Sequence, residues 1–218
     1  MKILLFICVL FVIHSCSLKK NESQTFLLTY NIDVEIVNKS LPTKIRDYIN
    51  VKYGDSINVK YDELGNVSFY YLNSGENGLK YQLFDNQSHQ TRVRWNNIDT
   101  VYFYDHSVNS LNFLSKQEKR EFKENCIEYT GVDIFSGDTV VQKYCYVEDS
   151  LKTSPNLYSS FDDLFFGEFM TISDCLPTRT VMRSKSIILT KTLVRAVRTK
   201  KQDLVSLDVD KSLPSKKL

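Results

Sequence analysis

Residues 25–37 read TFLLTYNIDVEIV, and this stretch decides the fold. Most of its odd positions are polar, whereas its even positions are all apolar: Phe26, Leu28, Tyr30, Ile32, Val34 and Ile36. Side chains alternate between the two faces of a strand, so this period of two predicts one long strand with a single buried face. A helix would spread the same residues around its whole axis. The domain is therefore expected to be built on a sheet.

Short apolar runs follow this strand at intervals of about ten residues, a spacing typical of an antiparallel meander. The predicted strands are residues 57–61, 67–72, 79–84, 91–95, 98–104 and 108–114. Turn residues such as Gly65-Asn66 and Asp85-Asn86 separate them. Connections this short leave no room for crossover helices, so neighbouring strands should run antiparallel. A short helix is expected within residues 43–53.

The second half of the chain continues this pattern, with one charge-rich interruption. Residues 126–135 and 139–147 predict a hairpin, and residues 178–183 and 186–198 predict the closing strands. Residues 115–123 predict either a short helix capped by Ser115 or a solvated turn before the next strand. The overall prediction is a mainly β fold, an antiparallel meander that forms an incomplete, half-open barrel with one or two short helices as a lid.

Two cysteines fall on the strands of the predicted hairpin. If Ser136 and Gly137 are its two turn residues, Val147 lies opposite Cys126 and Glu128 lies opposite Cys145. Both cysteines then point to one face in diagonal positions. This geometry permits a disulfide between Cys126 and Cys145 without favouring it.

Residues 148–166 break the strand rhythm and carry Pro155 together with the cluster FDDLFF at residues 161–166. The aromatic content is too high for a freely solvated loop, because large apolar side chains avoid water. We expect this segment to fold back over an apolar surface as a helix-like lid.

The N-terminus has the three parts of an export signal: a charged start at Met1-Lys2, an apolar middle, and the small Ser15 before a polar continuation. The eleven apolar residues 3–13 would extend only about 16 Å as a helix, whereas a bilayer span takes about 20 residues. Residues 1–15 are therefore predicted to be a signal peptide cleaved between Ser15 and Cys16. A buried structural helix is the alternative.

The tetrapeptide Ile13-His14-Ser15-Cys16 resembles a lipobox, the recognition site of lipoprotein signal peptidase. The resemblance implies that the Cys16 thiol carries diacylglycerol and that its freed amine carries a further acyl chain such as palmitate. Several acyl chains hold a protein to a membrane where a single chain does not. His14 departs from the usual small apolar residue, which leaves a signal cleaved without lipidation as an alternative.

The composition indicates one generous domain and gives no sign of a nucleic-acid binder, with a formal net charge of +2 and 42% hydrophobic residues. Outside the signal the chain has only His89 and His106, and it has no C-x-x-C pair or glycine-rich phosphate loop. We therefore expect no metal and no cofactor.

Two short motifs resemble catalytic sequences. Gly54-Asp55-Ser56-Ile57 resembles the first block of the GDS-type lipases and esterases, whose serine is the nucleophile, but the later blocks that supply its base and oxyanion donors are absent. Asp105-His106-Ser107 contains triad residue types, yet neighbours on an extended chain point to opposite faces. Both are interpreted as turns, so no catalytic residue is predicted, and a Ser56-dependent esterase is a remote alternative.

The whole layout resembles the periplasmic Lol-type lipoprotein-carrier superfamily and its GLPGLI-type relatives from Bacteroidota. The likeness covers residues 25–210: the long first strand, the NCIEY start of the hairpin at residues 125–129, the aromatic excursion and the step Leu176-Pro177. The GLPGLI signature itself is absent, and FGEF at residues 166–169 stands near its expected place. The resemblance implies a half-barrel whose apolar face receives acyl chains. The residues matching such a lining are Phe26, Leu28, Tyr30, Ile32, Val34, Ile36, Phe161, Phe165 and Phe166.

Together these features predict an envelope lipoprotein that is anchored in the outer membrane and faces the periplasm. The predicted order is a signal peptide (1–15), a lipidated tether (16–24), a single half-barrel domain (25–210) and a flexible tail (211–218). The predicted function is non-enzymatic binding of a lipid, a lipidated protein or another hydrophobic ligand. The alternative is a structural or protein-interaction lipoprotein with a filled core.

Overall fold

The computed structural model describes residues 25–105, 111–199 and 213–217. Within them the chain is mainly β, as predicted. The strands are β1 Thr25–Ile36, β2 Ser56–Tyr61, β3 Val67–Leu72, β4 Leu79–Asp85, β5 Gln90–Trp95, β6 Val101–Asp105, β7 Leu111–Glu121, β8 Glu124–Asp133, β9 Thr139–Tyr146, β10 Arg179–Arg183, β11 Ile187–Thr199 and β12 Ser215–Lys217. The helices are α1 Thr43–Lys52 and α2 Phe166–Ser173, and 3₁₀ turns occupy Pro155–Leu157 and Asp163–Phe165. Neither α-helix is long and apolar enough to cross a membrane.

All the described strands form one sheet, in the order β12-β6-β5-β4-β3-β2-β1-β11-β10-β9-β8-β7. Two meanders, β1 to β6 and β7 to β11, meet where β1 pairs with β11. Every pair is antiparallel except β12 with β6, which is parallel. The edge strands β12 and β7 do not pair with each other in the described part of the chain, so the sheet is not closed. Residues 211–218, expected to be a flexible tail, include β12.

The alternation in residues 25–37 gives β1, the central strand of the sheet. Phe26, Leu28 and Tyr30 are buried on one face, which we call the inner face. Helix α1 and the strands of the first meander lie within three residues of their predicted positions. The predictions succeed here because the apolar period and the turn residues agree along this half of the chain.

The prediction of a helix or turn at residues 115–123 was wrong. Strand β7 runs through this stretch and pairs with β8 from Leu111 to Glu121, and only Phe122 and Lys123 form the turn. Backbone hydrogen bonds to β8 override the local capping signal of Ser115. The charged side chains suit this position because β7 is an edge strand, where charge discourages pairing with another chain.

The predicted register of the β8–β9 hairpin was also wrong. Its turn is longer than two residues, because the Asp133 carboxylate accepts hydrogen bonds from the backbone amides of Phe135 and Ser136 at 3.0 and 2.7 Å. Such a local bond favours a turn built around the acidic residue. The pairing moves by two residues and places Cys126 directly opposite Cys145, with 4.1 Å between the Cα atoms. The two cysteines form a disulfide, and Cys175 is free and buried.

Candidate functional site

A segment of residues 148–177, which we call the lid, covers part of the inner face. Its large side chains are buried there: Tyr158, Phe161, Phe165, Phe166, Phe169, Met170 and Leu176. Three of its rings stack on tyrosines of the sheet, as Phe166 does on Tyr61 with 5.9 Å between ring centres. The predicted fold-back of this aromatic segment is therefore observed, and aromatic packing fixes its position.

The Tyr144 hydroxyl holds the tip of the lid. It donates to the backbone carbonyls of Leu164 at 2.9 Å and Asp163 at 3.2 Å. Leu164 and Phe165 both adopt the left-handed conformation, with φ of 52° and 67°. That conformation costs free energy for residues with a Cβ. The hydroxyl therefore stabilises a turn that the local sequence does not favour.

The start of the lid rests on the turn between β2 and β3. Tyr158 donates a hydrogen bond from its hydroxyl to the carbonyl of Asp62 at 2.9 Å. Gly65 has a φ of +83°, and a Cβ at this position would lie 2.1 Å from the carbonyl oxygen of Leu157. Glycine is required here both by the backbone conformation and by the close approach of the lid.

Between the lid tip, the inner face and the end of α1 lies a cleft with two adjoining cavities of about 300 and 70 Å³. Both cavities are lined by Asp163, Leu164, Met182, Leu189 and Lys191. The larger one also contacts several rings, namely Tyr53, Tyr71, Trp95 and Tyr104. Mostly apolar walls with a few polar groups are typical of small-molecule sites, whose volumes begin at about 300 Å³. The cleft is the candidate binding site.

Lys191 is the basic side chain shared by both cavities. It is half-buried on β11, and its ammonium lies 5.5 Å from the centre of the Phe69 ring. Burial strips water from the ammonium and lowers the pKa of Lys191, while the carboxylate of Asp163 acts in the opposite direction. The cleft therefore contains a cation that is poorly solvated.

A neutral polar group lies at the smaller cavity. Gln142 is only 3% exposed, and its side-chain oxygen has no hydrogen-bond partner among the residues that the structure describes. Leaving such an oxygen unpaired costs about 1–3 kcal/mol. The hydroxyl of Tyr30, at the same cavity, donates to the carbonyl of Pro177 at 2.7 Å.

The nine residues predicted to face a ligand are divided between the cleft and the core. Tyr30, Phe161 and Phe166 line the smaller cavity. Phe26, Leu28 and Phe165 are buried in the core, and the half-buried members of β1 are Ile32, Val34 and Ile36. The lid occupies much of the surface that the sequence assigned to a ligand.

Sequence reasoning missed the polar residues of the cleft. Lys191 carries a signal that could have identified it, because it stands between Leu189 and Leu193 on the inward positions of β11. A charged residue within an apolar period of two is unusual in a strand. Gln142 and Trp95 carry no comparable signal, because only the packing of separate strands brings them to the cleft.

The remaining predicted site residues lie apart from the cleft. The Ser56 hydroxyl donates to the neighbouring Asp55 carboxylate at 2.8 Å, an arrangement typical of a turn. His89 lies in the turn between β4 and β5. Ser15, Cys16, His106 and Ser107 lie outside the described residues.

A charged network surrounds the disulfide on the opposite, outer face of the sheet. The Glu121 carboxylate accepts hydrogen bonds from Lys143 and Arg179, each at 2.9 Å. Glu124 also pairs with Arg179 at 3.1 Å. The Arg179 guanidinium lies 3.4 Å from the sulfur of Cys145. Although Glu121 and the two sulfurs lie close together, the cations occupy the carboxylate and the sulfurs are bonded to each other.

No family model matches the chain, and no curated protein is significantly similar to it in sequence.

Proposed function

We propose that this protein binds a hydrophobic ligand in the cleft between lid and sheet, without converting it chemically. The observation that carries the proposal is the cleft itself, with a cavity of about 300 Å³ between aromatic rings and a shared lysine. A core that was packed throughout would leave no such space. The lid supports the proposal because hydrogen bonds and ring contacts at two points position it over the cleft.

The proposal includes a half-barrel, in which the unclosed sheet curves around the lid and the ligand enters between them. The open strand order supports this shape, since β12 and β7 are free to lie apart. The position of the lid on one face only is also consistent with it.

The test uses the single tryptophan of the chain, Trp95, which lines the larger cavity. Binding of an alkyl chain in the cleft should change Trp95 fluorescence in a saturable way and should displace an apolar fluorescent probe. Leu164→Phe narrows both cavities without adding a second tryptophan and should weaken binding, whereas the matched Leu64→Phe on an exposed turn should not. Folded protein that gives no saturable response would contradict the proposal.

We further propose that Cys16 anchors the protein in the outer membrane and that residues 17–24 form a polar tether. The support is the order of charged start, apolar run and small residue before a cysteine. Cys16→Ser should abolish incorporation of labelled palmitate and should leave the signal peptide uncleaved by lipoprotein signal peptidase. Cys8→Ser, within the signal, should incorporate label normally. Labelling that survives Cys16→Ser would overturn the anchor.

A second candidate function is an envelope scaffold whose lid fills the inner face and whose surface contacts another protein. The specific observation in its favour is that Phe26, Leu28 and Phe165 are buried in the core instead of lining the cleft. Unchanged Trp95 fluorescence with every hydrophobic ligand, together with capture of a defined protein partner, would favour this candidate.

A further inference from the structure

Lys191 gives the cleft a chemical preference beyond hydrophobicity. Its side chain lies on the inner face of β11, opposite Ile32 of β1 and Thr180 of β10. Within the described part of the chain, the Lys191 ammonium forms no hydrogen bond and no ion pair within 4 Å, and it lies over the Phe69 ring. The Asp163 carboxylate and the Phe69 ring offset only part of the desolvation of this cation, since the pKa of Lys191 is still lowered, and a bound anion would offset much of the rest.

Among the residues that the structure describes, two other charged side chains line the cleft, and they come from two different elements. Asp163 comes from the lid tip and is exposed, and Lys52 comes from the end of α1. Lys52 lies 4.9 Å from the centre of the Tyr53 ring. The positive charges of Lys191 and Lys52 thus outnumber the one negative charge of Asp163. The balance favours a ligand with a single negative charge.

The lining and volume of the cleft restrict the size and polarity of the ligand beyond its charged group. Apart from the charged groups, the larger cavity is bordered mainly by rings and aliphatic side chains, including Trp95, Leu79 and Val93. Its volume of about 300 Å³ stands at the lower limit of small-ligand sites, so it suits one alkyl chain better than two. A phosphate monoester would bring about two negative charges, more than the single net positive charge of Lys191, Lys52 and Asp163 neutralises.

From this placement of charge and apolar surface, and resting on the proposed function, we infer that the ligand is a single-chain amphiphile with a carboxylate head, a long-chain fatty acid or N-acyl amino acid. The carboxylate pairs with the Lys191 ammonium, and the chain lies between Trp95 and the lid residue Leu164. Lys191 is a specificity-determining residue of the cleft, since it distinguishes an acid from a neutral compound with the same chain.

The experiment compares three ligands that differ only in the head group: dodecanoate, dodecanol and dodecyltrimethylammonium. Each is titrated into the purified protein below its micelle concentration, with Trp95 fluorescence as the readout. We expect dodecanoate to bind about tenfold more tightly than dodecanol, because a charge-assisted pair in a partly dry site exceeds a neutral contact. Dodecyltrimethylammonium should bind most weakly.

Variants test whether Lys191 causes the preference for dodecanoate over dodecanol. Lys191→Met should make dodecanoate and dodecanol bind equally, whereas Lys80→Met, on an exposed position of β4, should retain the preference. Asp163→Asn should strengthen dodecanoate binding about threefold by removing a competing charge, with no effect on dodecanol. If Lys191→Met does not fold, Lys191→Gln replaces it with the same expected loss of preference.

N-dodecanoylglycine distinguishes the two sources of the carboxylate, and tighter binding than dodecanoate would indicate an N-acyl amino acid.

Two failures of this experiment have different meanings. Equal affinity of the native protein for dodecanoate and dodecanol, or a preference that survives in Lys191→Met, would overturn the carboxylate inference and leave the binding function standing. Absence of a saturable response to all three ligands would overturn the binding function and the inference together.

Discussion

The ammonium of Lys191 lies over the face of the Phe69 ring, 5.5 Å from its centre. Lys191 belongs to β11 and Phe69 to β3, so the contact spans the width of the two strands between them, β1 and β2. The ring faces the cation with its negative quadrupole and offsets part of the lost hydration. The part of the desolvation free energy that the ring does not offset destabilises the folded protein. We therefore expect Lys191 to contribute to ligand binding and not to stability.

Lys191→Met should therefore raise the free energy of unfolding of the ligand-free protein by about 1 kcal/mol, measured by urea denaturation at pH 7. The lowered pKa of Lys191 in the folded state means that the unfolded chain binds more protons between that pKa and the ordinary value of 10.5. The native protein should thus gain stability relative to the variant as pH rises toward 10.5. Lys80→Met should show neither effect, and a Lys191→Met protein less stable than the native one at pH 7 would contradict the argument.

Tyr144→Phe should destabilise the lid, because its ring remains while the hydroxyl bonds to Asp163 and Leu164 are lost. The expected loss is about 1 kcal/mol, with faster amide hydrogen exchange in residues 161–169. Tyr129→Phe is the matched control, since the buried hydroxyl of Tyr129 has no hydrogen-bond partner among the described residues. That change should be neutral or slightly stabilising, and equal losses in both variants would disprove the role of the Tyr144 hydroxyl.

Gly65→Ala should displace the lid from the β2–β3 turn, since the added Cβ would lie 2.1 Å from the carbonyl oxygen of Leu157. Gly137→Ala provides a control with a similar positive φ and nothing within 4 Å of the added atom. Both variants carry the backbone cost of about 1 kcal/mol, and Gly65→Ala should lose at least a further 1 kcal/mol. Limited proteolysis should cut the lid faster only in Gly65→Ala; identical behaviour of the pair would argue against this contact.

Replacing both Cys126 and Cys145 by alanine should lower the free energy of unfolding by about 3 kcal/mol, because the disulfide closes a short loop with a sequence separation of 19. A reductant should destabilise the native protein to a similar extent and should leave the double variant unchanged. A native protein insensitive to reductant under unfolding conditions would show that this bond does not form.

Glu121→Gln should cost about 1–3 kcal/mol at neutral pH, because it leaves the buried Lys143 without its carboxylate. Hydrogen bonds from Lys143 and Arg179 hold the pKa of Glu121 below its ordinary value of 4.5. This stabilisation is present above pH 4.5 and disappears as pH falls through the lowered folded value. The difference between native protein and variant should shrink in the same range, while Glu35→Gln on an exposed position of β1 should change little. A constant difference down to pH 2 would refute the assignment.

The first meander could be predicted closely because its evidence is local. The alternation of Phe26, Leu28 and Tyr30 specifies a face, and turn residues such as Gly65 specify where each strand ends. The stretch at residues 115–123 could not be predicted in this way, since its strand depends on hydrogen bonds to β8. The predicted register of Cys126 and Cys145 was wrong for a related reason, because hydrogen bonds to the Asp133 side chain lengthen the turn.

The sequence by itself determined the mainly β fold, the central strand, the helix at α1 and the aromatic character of the lid, because each depends on period and composition within one segment. Only the tertiary structure decided where the cleft between the lid and the sheet lies. Residues as distant in sequence as Trp95, Leu164 and Lys191 meet at the cleft through strand order and lid packing. Whether the core is filled or contains a cavity depends on how aromatic rings from separate segments pack against one another. The volume left between them cannot be read from any local sequence pattern.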